Sequence, residues 1–262
     1  MVKKNGSMTS KAFLLKEMVV RDVKSRYAGS SLGILWAFAH PVLWMLLYTG
    51  VFALVLRVPV DAGYASFPEF LMAGLLPWMA IQEGIARSAS VLVDNAAMVK
   101  KTVFPVETLV LSVVLAAVVN EIIALAIFAV YVGLVGHLSV AWLSLVVPAL
   151  LLQVAMTFGL GCIAATSTAF LRDTAHAVGI GLTVVFYATP IVYPASLVPA
   201  RLRPILEANP VAHLVDLYRR AFTLHAAPPT GSVLYLTLFC GGVALLGAAL
   251  FSRARPHFAD LI

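Results

Sequence analysis

Residues 109–135 read LVLSVVLAAVVNEIIALAIFAVYVGLV, a run in which Glu121 is the one acidic or basic side chain. The hydrocarbon core of a bilayer is about 30 Å thick, and about 20 apolar residues in helical form cross it. In lipid such a segment must satisfy its own backbone N–H and C=O groups, which an α-helix does internally. The same reading applies to residues 34–56, 67–93, 143–168, 176–193 and 233–251, so the sequence predicts six transmembrane helices. A membrane β-barrel would instead show alternating segments of about ten residues. Only 11% of the chain is charged and 61% is hydrophobic, for a mean hydropathy of +0.97. A soluble domain carries about 25% charged residues. The expected fold class is therefore an all-α integral membrane protein, with residues 1–262 as a single transmembrane domain.

The flanks of these runs carry the orientation. With a cytoplasmic N-terminus, that side holds Lys3, Lys4, Lys11, Lys16, Arg21, Lys24, Arg26, Arg87, Lys100, Lys101, Arg172, Arg253 and Arg255. The opposite side holds Arg57, Arg201, Arg203, Arg219 and Arg220. Positive charge favours the cytoplasmic face, so both termini are expected there. The net charge of +6 and pI of about 9.5 fit a face turned to anionic lipid and do not call for nucleic acid. The opening MVKKNGSMTSKAF has no short apolar core followed by a cleavage site, so no cleavable signal peptide is expected.

Two segments depart from the spanning pattern. Residues 9–28 read as an amphipathic helix lying in the membrane interface. Ala12, Leu15, Val19, Val23 and Tyr27 share one broad face, and Lys11, Glu17, Arg21, Asp22 and Lys24 the other. Its basic end, with Arg21, Lys24 and Arg26, leads through a small-residue bend, Gly29, Ser30, Ser31 and Gly33, into the first span. Residues 194–222, punctuated by Pro194, Pro199, Pro204 and Pro210, hold no piece long enough to cross. Re-entrant or surface helices between spans five and six are expected there.

The chain has no phosphate-binding G-x-x-x-x-G-K-[ST] loop and no H-x-x-x-H pair. Cys162 and Cys240 sit in apolar runs and read as small buried hydrophobes. Span one carries His40, Trp44, Tyr48 and Phe52 at i+4 spacing, with Trp36 before them. Such a stripe either lines a path for sugars, whose C–H faces stack on aromatic rings, or packs against helices and lipid. Residues 94–105, DNAAMVKKTVFP, suggest a short helix capped by Asp94 or Asn95 and ended before Pro105. It reads either as a peg for a cytoplasmic partner or as an ordinary basic loop. Glu83 and Arg87 are spaced to pair. Glu121, deep in span three, reads either as part of a proton relay or, with no deep basic partner, as a structural hydrogen-bonding residue inside the bundle. The pairs Gly159 and Gly161, and Gly179 and Gly181, suggest close helix contact.

The segment RDVKSRYAGSSLGILWAFAHPV, residues 21–42, resembles the opening motif of ABC-transporter permeases that export polysaccharides and polyol phosphates, among them O-antigen, capsule and teichoic acid exporters. The likeness continues through residues 70–78 (FLMAGLLPW), 100–105 (KKTVFP) and 170–173 (FLRD), and through Asn209–Pro210 followed by Arg219. It implies a transport subunit of type-2 ABC fold in the bacterial cytoplasmic (inner) membrane. That subunit is a homodimer moving a lipid-linked glycan and binding two copies of a separate ATPase subunit, which holds the ATP and Mg; the chain itself carries no cofactor. By the same resemblance Trp36, His40, Trp44, Tyr48, Phe52, Tyr187 and Tyr193 are candidate channel linings. Asp94, Asn95, Lys100, Lys101, Phe104, Pro105, Arg172 and Asp173 are candidate ATPase-coupling residues. Arg21, Lys24, Arg26 and Tyr27 belong to the interface helix, and Asn209, Pro210 and Arg219 to an extracytoplasmic gate. The alternatives are a drug or small-molecule exporter of the same fold, an integral membrane glycosyltransferase, or an ion-coupled carrier. A glycosyltransferase would need an interfacial acid cluster, which Asp94 and Glu107 do not make. A carrier would need inverted repeats and midplane charges.

Overall fold

A computed structural model describes residues 6–27, 30, 33–58, 64, 66–100 and 104–262; for residues 6–11, 27, 34, 37 and 53 it describes the backbone only. The described residues are mostly helical, with no strand among them. The helices are α1 (Gly6–Tyr27), α2 (Trp36–Tyr48), α3 (Phe67–Asp94), α4 (Ala96–Val99) and α5 (Glu107–Leu134), then α6 (Val146–Phe170) and α7 (Thr174–Ala188). α8 (Arg203–Glu207), α9 (Pro210–Arg219), α10 (Thr230–Ala254) and α11 (Phe258–Leu261) complete the chain. Three stretches are long and apolar enough to cross a membrane: Glu107–Leu134, Trp142–Phe170 and Thr230–Leu261. Phe38–Phe52 and Thr174–Ala188 are shorter apolar stretches.

α3 is the hub of the bundle. It starts where Ser66 is extended (φ −151°, ψ 157°), with Pro68 in the first turn, where a missing N–H costs nothing. Nineteen of its 28 residues are buried. That enclosure helps a helix carrying Glu69, Glu83 and Arg87 run through an otherwise apolar molecule: Glu69 is buried and Glu83 and Arg87 are ion-paired to α1, while Asp94 is exposed at the helix end. α5 and α6 flank it, and α10 packs on α6. Gly159 and Gly247 bring the last pair into backbone contact. A Cβ on Gly247 would fall 2.8 Å from the Cα of Gly159. Gly161 lets α6 approach Ser88 of α3, whose hydroxyl donates back to the Gly84 carbonyl at 2.6 Å.

Two apolar clusters occupy the two ends. The larger joins Phe70, Leu71, Trp78, Phe128, Leu214, Tyr218 and Phe222 from α3, α5, α9 and the turn after it. The smaller joins Met18 of α1 to Leu92, Val99, Leu109, Cys162, Phe251 and Phe258. α2 and α7 join the larger cluster only at its edge, through Met45, Tyr48, Leu182 and Phe186 among others. Pro41 is the one buried residue among the described side chains of α2, and Leu182 the one in α7. Gly179 and Gly181 meet nothing within 4 Å, so the expected close contact at this pair is not made within the chain, whereas Gly159 and Gly161 make theirs.

Several boundaries differ from the sequence expectation. α1 begins at Gly6 rather than residue 9, and its buried contact is Met18, with Leu14 beside it, rather than the Ala12–Val19 face. α7 ends at Ala188, not 193, because Thr189 is extended (φ −104°, ψ 133°) ahead of Pro190, which disfavours helix in the residue before it. α4 stops at Val99; Asn95 takes its N-cap position, but its side chain makes no capping bond. Asn95 donates instead to the Val91 carbonyl (2.9 Å), closing an orphan acceptor of α3, and Asp94 accepts from Ser90 (2.6 Å). Gly29, Ser31 and Lys101 lie outside the described residues, as does the side chain of Tyr27.

Candidate functional site

A cavity of about 830 Å³ opens between α2, α3, α5 and α7. Its α2 wall is Trp36, His40, Pro41, Trp44 and Tyr48. The i+4 spacing stacks these rings along the helix. The Trp44 indole donates to His40 Nε2 at 2.9 Å, and the Trp44 and Tyr48 rings lie 5.2 Å apart. An indole only donates, so His40 Nε2 must be the acceptor and carries no proton while this bond is made. The α3 wall repeats at helical spacing through Leu75, Met79, Gln82, Glu83 and Ala86. Trp78 reaches across it to Phe186 of α7, with ring centroids 5.7 Å apart. Asn120 and Glu121 of α5, and Thr183 and Tyr187 of α7, complete the lining.

Of the aromatic residues expected in a channel, Trp36, His40, Trp44, Tyr48 and Tyr187 therefore share one cavity. Phe52 and Tyr193 do not line it. Phe52 sits in a π-helical turn after α2 and stacks on Tyr48 and Phe67 (5.9 and 6.3 Å). Tyr193 donates to the Tyr187 carbonyl at 2.6 Å, bracing the chain just beyond α7. Gln82, Met79 and Phe186 were not singled out by sequence. Their signal was the period of α3 around Trp78 and the neighbour of Tyr187.

Charge gathers at the end of the cavity next to α1. Arg87 donates to both carboxylate oxygens of Asp22, at 2.9 Å to Oδ2 and with a second contact to Oδ1, and to Glu83 at 3.2 Å. Arg26 pairs with Glu83 and lies 3.4 Å from Asp22. Two guanidinium groups and two carboxylates thus close into a quartet that ties α1 to α3. Burial pushes the Asp22 carboxyl up, but the hydrogen bonds and charge of Arg87, with Arg26 behind it, outweigh this and hold it below its ordinary 3.8. Deeper in, Glu121 is 3% exposed. It accepts from Gln153 of α6, and Gln153 in turn accepts from Tyr218 of α9 at 2.8 Å. Glu121 is thus hydrogen-bonded inside the bundle.

The other predicted residues fall at the two ends. Arg21 and Lys24 of α1, Lys100 after α4, and Arg172 and Asp173 in the turn between α6 and α7 are exposed. Phe104 and Pro105 are half-buried against the C-terminal segment. There Arg255 donates to Glu107 (2.8 Å) and Phe258 is buried. At the opposite end Asn209 caps α9, accepting from Val211 N–H (3.0 Å) and donating to Thr189 Oγ1 (2.8 Å). Pro210 takes the first helical position. Arg219 is not at an open mouth. It is 5% exposed, donates to the Ile191 and Phe70 carbonyls (3.0 and 3.3 Å), and stands 3.8 Å from the Phe70 ring centre.

Residues 14–223 match the model of the ABC-2 type transporter family. The chain is 33% identical over 254 residues to the O-antigen export system permease protein RfbA of Myxococcus xanthus, covering 95% of each chain. It is 30% identical over 251 residues to a protein of the same name from Klebsiella pneumoniae, again over 95% of each. It is 23% identical over 245 residues to the polysialic acid transport protein KpsM of Escherichia coli, over 93% of each. By its near full-length match and the helical bundle around one aromatic cavity, the chain belongs to the ABC-2 type transporter family.

Proposed function

We propose that this chain is the membrane permease subunit of an ATP-driven exporter that carries a lipid-linked polysaccharide across the bacterial cytoplasmic membrane. The observation that carries this reading is the aromatic cavity of about 830 Å³, with Trp36, His40, Trp44 and Tyr48 set along its α2 wall. Apolar ring faces and scattered hydrogen-bonding groups suit sugar recognition. The O-antigen permeases among its relatives support the same cargo class. α2, α3, α5, α6, α7 and α10 serve as six spans with both termini cytoplasmic. α8, α9 and the turns before them form the re-entrant layer at the outer face.

The functional unit is a homodimer. The exposed apolar faces of α2 and α7, including Phe38, Leu43, Ile180 and Val184, support this, as does the unfilled glycine surface at Gly179 and Gly181. Two such faces enclose the cavities into one path. Two ATPase subunits, which hold the ATP and Mg, dock on α4 with Lys100, Lys101, Arg172 and Asp173. Their closure moves α4, and the quartet at Asp22, Glu83, Arg26 and Arg87 passes that motion to the cavity wall.

Co-purification in mild detergent from the native host tests the partner. An ATPase at equal stoichiometry is expected, and the chain recovered alone even after crosslinking at Lys100 would defeat the reading. The double substitution Lys100→Glu, Lys101→Glu is expected to abolish export while insertion stays intact. Export at the unaltered rate would mean that α4 is not the coupling element.

A further inference from the structure

The same cavity carries a charge pattern that restricts its cargo. We propose that it passes an uncharged, hydroxyl-rich glycan and rejects a polyanionic one; the proposal rests on the permease reading above. The cations among its described lining residues are Arg26 and Arg87. Both are already paired with carboxylates of the same cluster. Arg26 is engaged by Glu83 and Asp22, and Arg87 by Asp22 and Glu83. Two positive groups face two negative ones, so the quartet presents no net positive charge to the path.

Beyond the quartet the described lining adds no lysine or arginine. Glu121 is the remaining carboxyl group of the lining, and His40 is occupied as an acceptor at Nε2 by Trp44. A polymer with a carboxylate on every repeat would lose hydration at each of them without meeting an unpaired counter-charge, the costly case for charges in a low-dielectric site. An uncharged sugar meets the opposite conditions. Trp44, Tyr48 and Tyr187 offer ring faces to its C–H surfaces, and the Gln82 amide and Thr183 hydroxyl offer hydrogen bonds to its hydroxyls. A path built for polyanions would need unpaired arginine or lysine along the wall.

The test uses the chain with its ATPase in a host that lacks its own exporter. The host makes either of two polymers on the same polyprenyl carrier: a neutral hexose homopolymer, or a polymer of sialic acid repeats. Surface polymer is measured by antibody after pulse labelling. The neutral polymer is expected at the surface, with the polyanion at least about tenfold slower. Gln82→Arg, which places a cation on an exposed position of the cavity wall, is expected to raise polyanion export several-fold. Polyanion export by the unaltered chain at the neutral rate overturns the proposal and leaves the permease reading standing, as does a Gln82→Arg chain that still exports neutral polymer but gains nothing with the polyanion. Export of neither polymer defeats the permease reading itself.

Discussion

The contact most open to measurement is the pair that fastens α1 to α3. Arg87 reaches both oxygens of Asp22, a bidentate arrangement that fixes geometry as well as charge. A hydrogen bond to a charged group contributes about 1.5–3 kcal/mol net, whereas an exposed ion pair contributes about 0.2–1 kcal/mol. Side-chain exposures of 37% for Arg87 and 19% for Asp22 place this pair between those limits. Arg26 and Glu83 stand by as substitute partners and lower the loss further. A coupling energy of about 1.5 kcal/mol follows, which is about tenfold in the population of chains with α1 released. Tryptic cleavage at exposed Lys16 and Lys24, in nanodiscs, reports that population when re-docking outpaces cleavage. Asp22→Asn and Arg87→Gln are each expected to speed cleavage about tenfold, and the double variant to go little further. A double variant cleaved about a hundredfold faster, the product of the two singles, would show the side chains acting independently and refute the latch.

Three further outcomes follow from the same geometry. Because the Asp22 carboxyl is held below 3.8 in the folded chain, its contribution is complete above the unfolded value and is lost as pH falls through the folded one. Hydrogen exchange of α1, corrected for intrinsic rate, should therefore stay constant down to about pH 4 and accelerate below it, but not in Asp22→Asn. Gly159→Ala would put a methyl 2.7 Å from the Ala244 backbone nitrogen and is expected to cost about 1–3 kcal/mol. Gly241→Ala meets nothing within 4 Å and should be near neutral; dye labelling of buried Cys162 and Cys240 on heating reads both. Phe258→Ala removes a ring 1% exposed, set edge-on to Phe251 at 5.0 Å, and should free the C-terminal residues to carboxypeptidase, at a local cost of about 3 kcal/mol.

The helical class was legible because a bilayer constrains length and backbone pairing more tightly than water does. Apolar runs such as 109–135 admit no other described outcome. What sequence resolved poorly were endings set by single residues. The proline at 190 marks the end of α7, yet an apolar run that continues through Ile191 and Val192 hides it. The α2 stripe was readable from i+4 spacing. The stripe also drifts: each step of four residues turns the direction by about 40°, and Phe52, three steps from His40, leaves the cavity face. The facing wall on α3 escaped notice because burial there depends on long-range neighbours. Glu83 and Arg87 looked like a helix-surface pair, and only the arrival of α1 beside them makes a closed quartet. Arg219 was placed by sequence in a proline-broken segment at an extracytoplasmic gate, with no partner named. Its partners, Phe70 and Ile191, are far away in sequence.

The backbone contact between Gly159 and Gly247 also divides the molecule mechanically. Two helices that touch without intervening side chains have no soft layer in which to slide, and a shift along either axis drives one main chain into the other. α6 and α10 are therefore locked to one another as one rigid pair. α2 and α7, each with a single buried residue among its described side chains, have no such lock to the core.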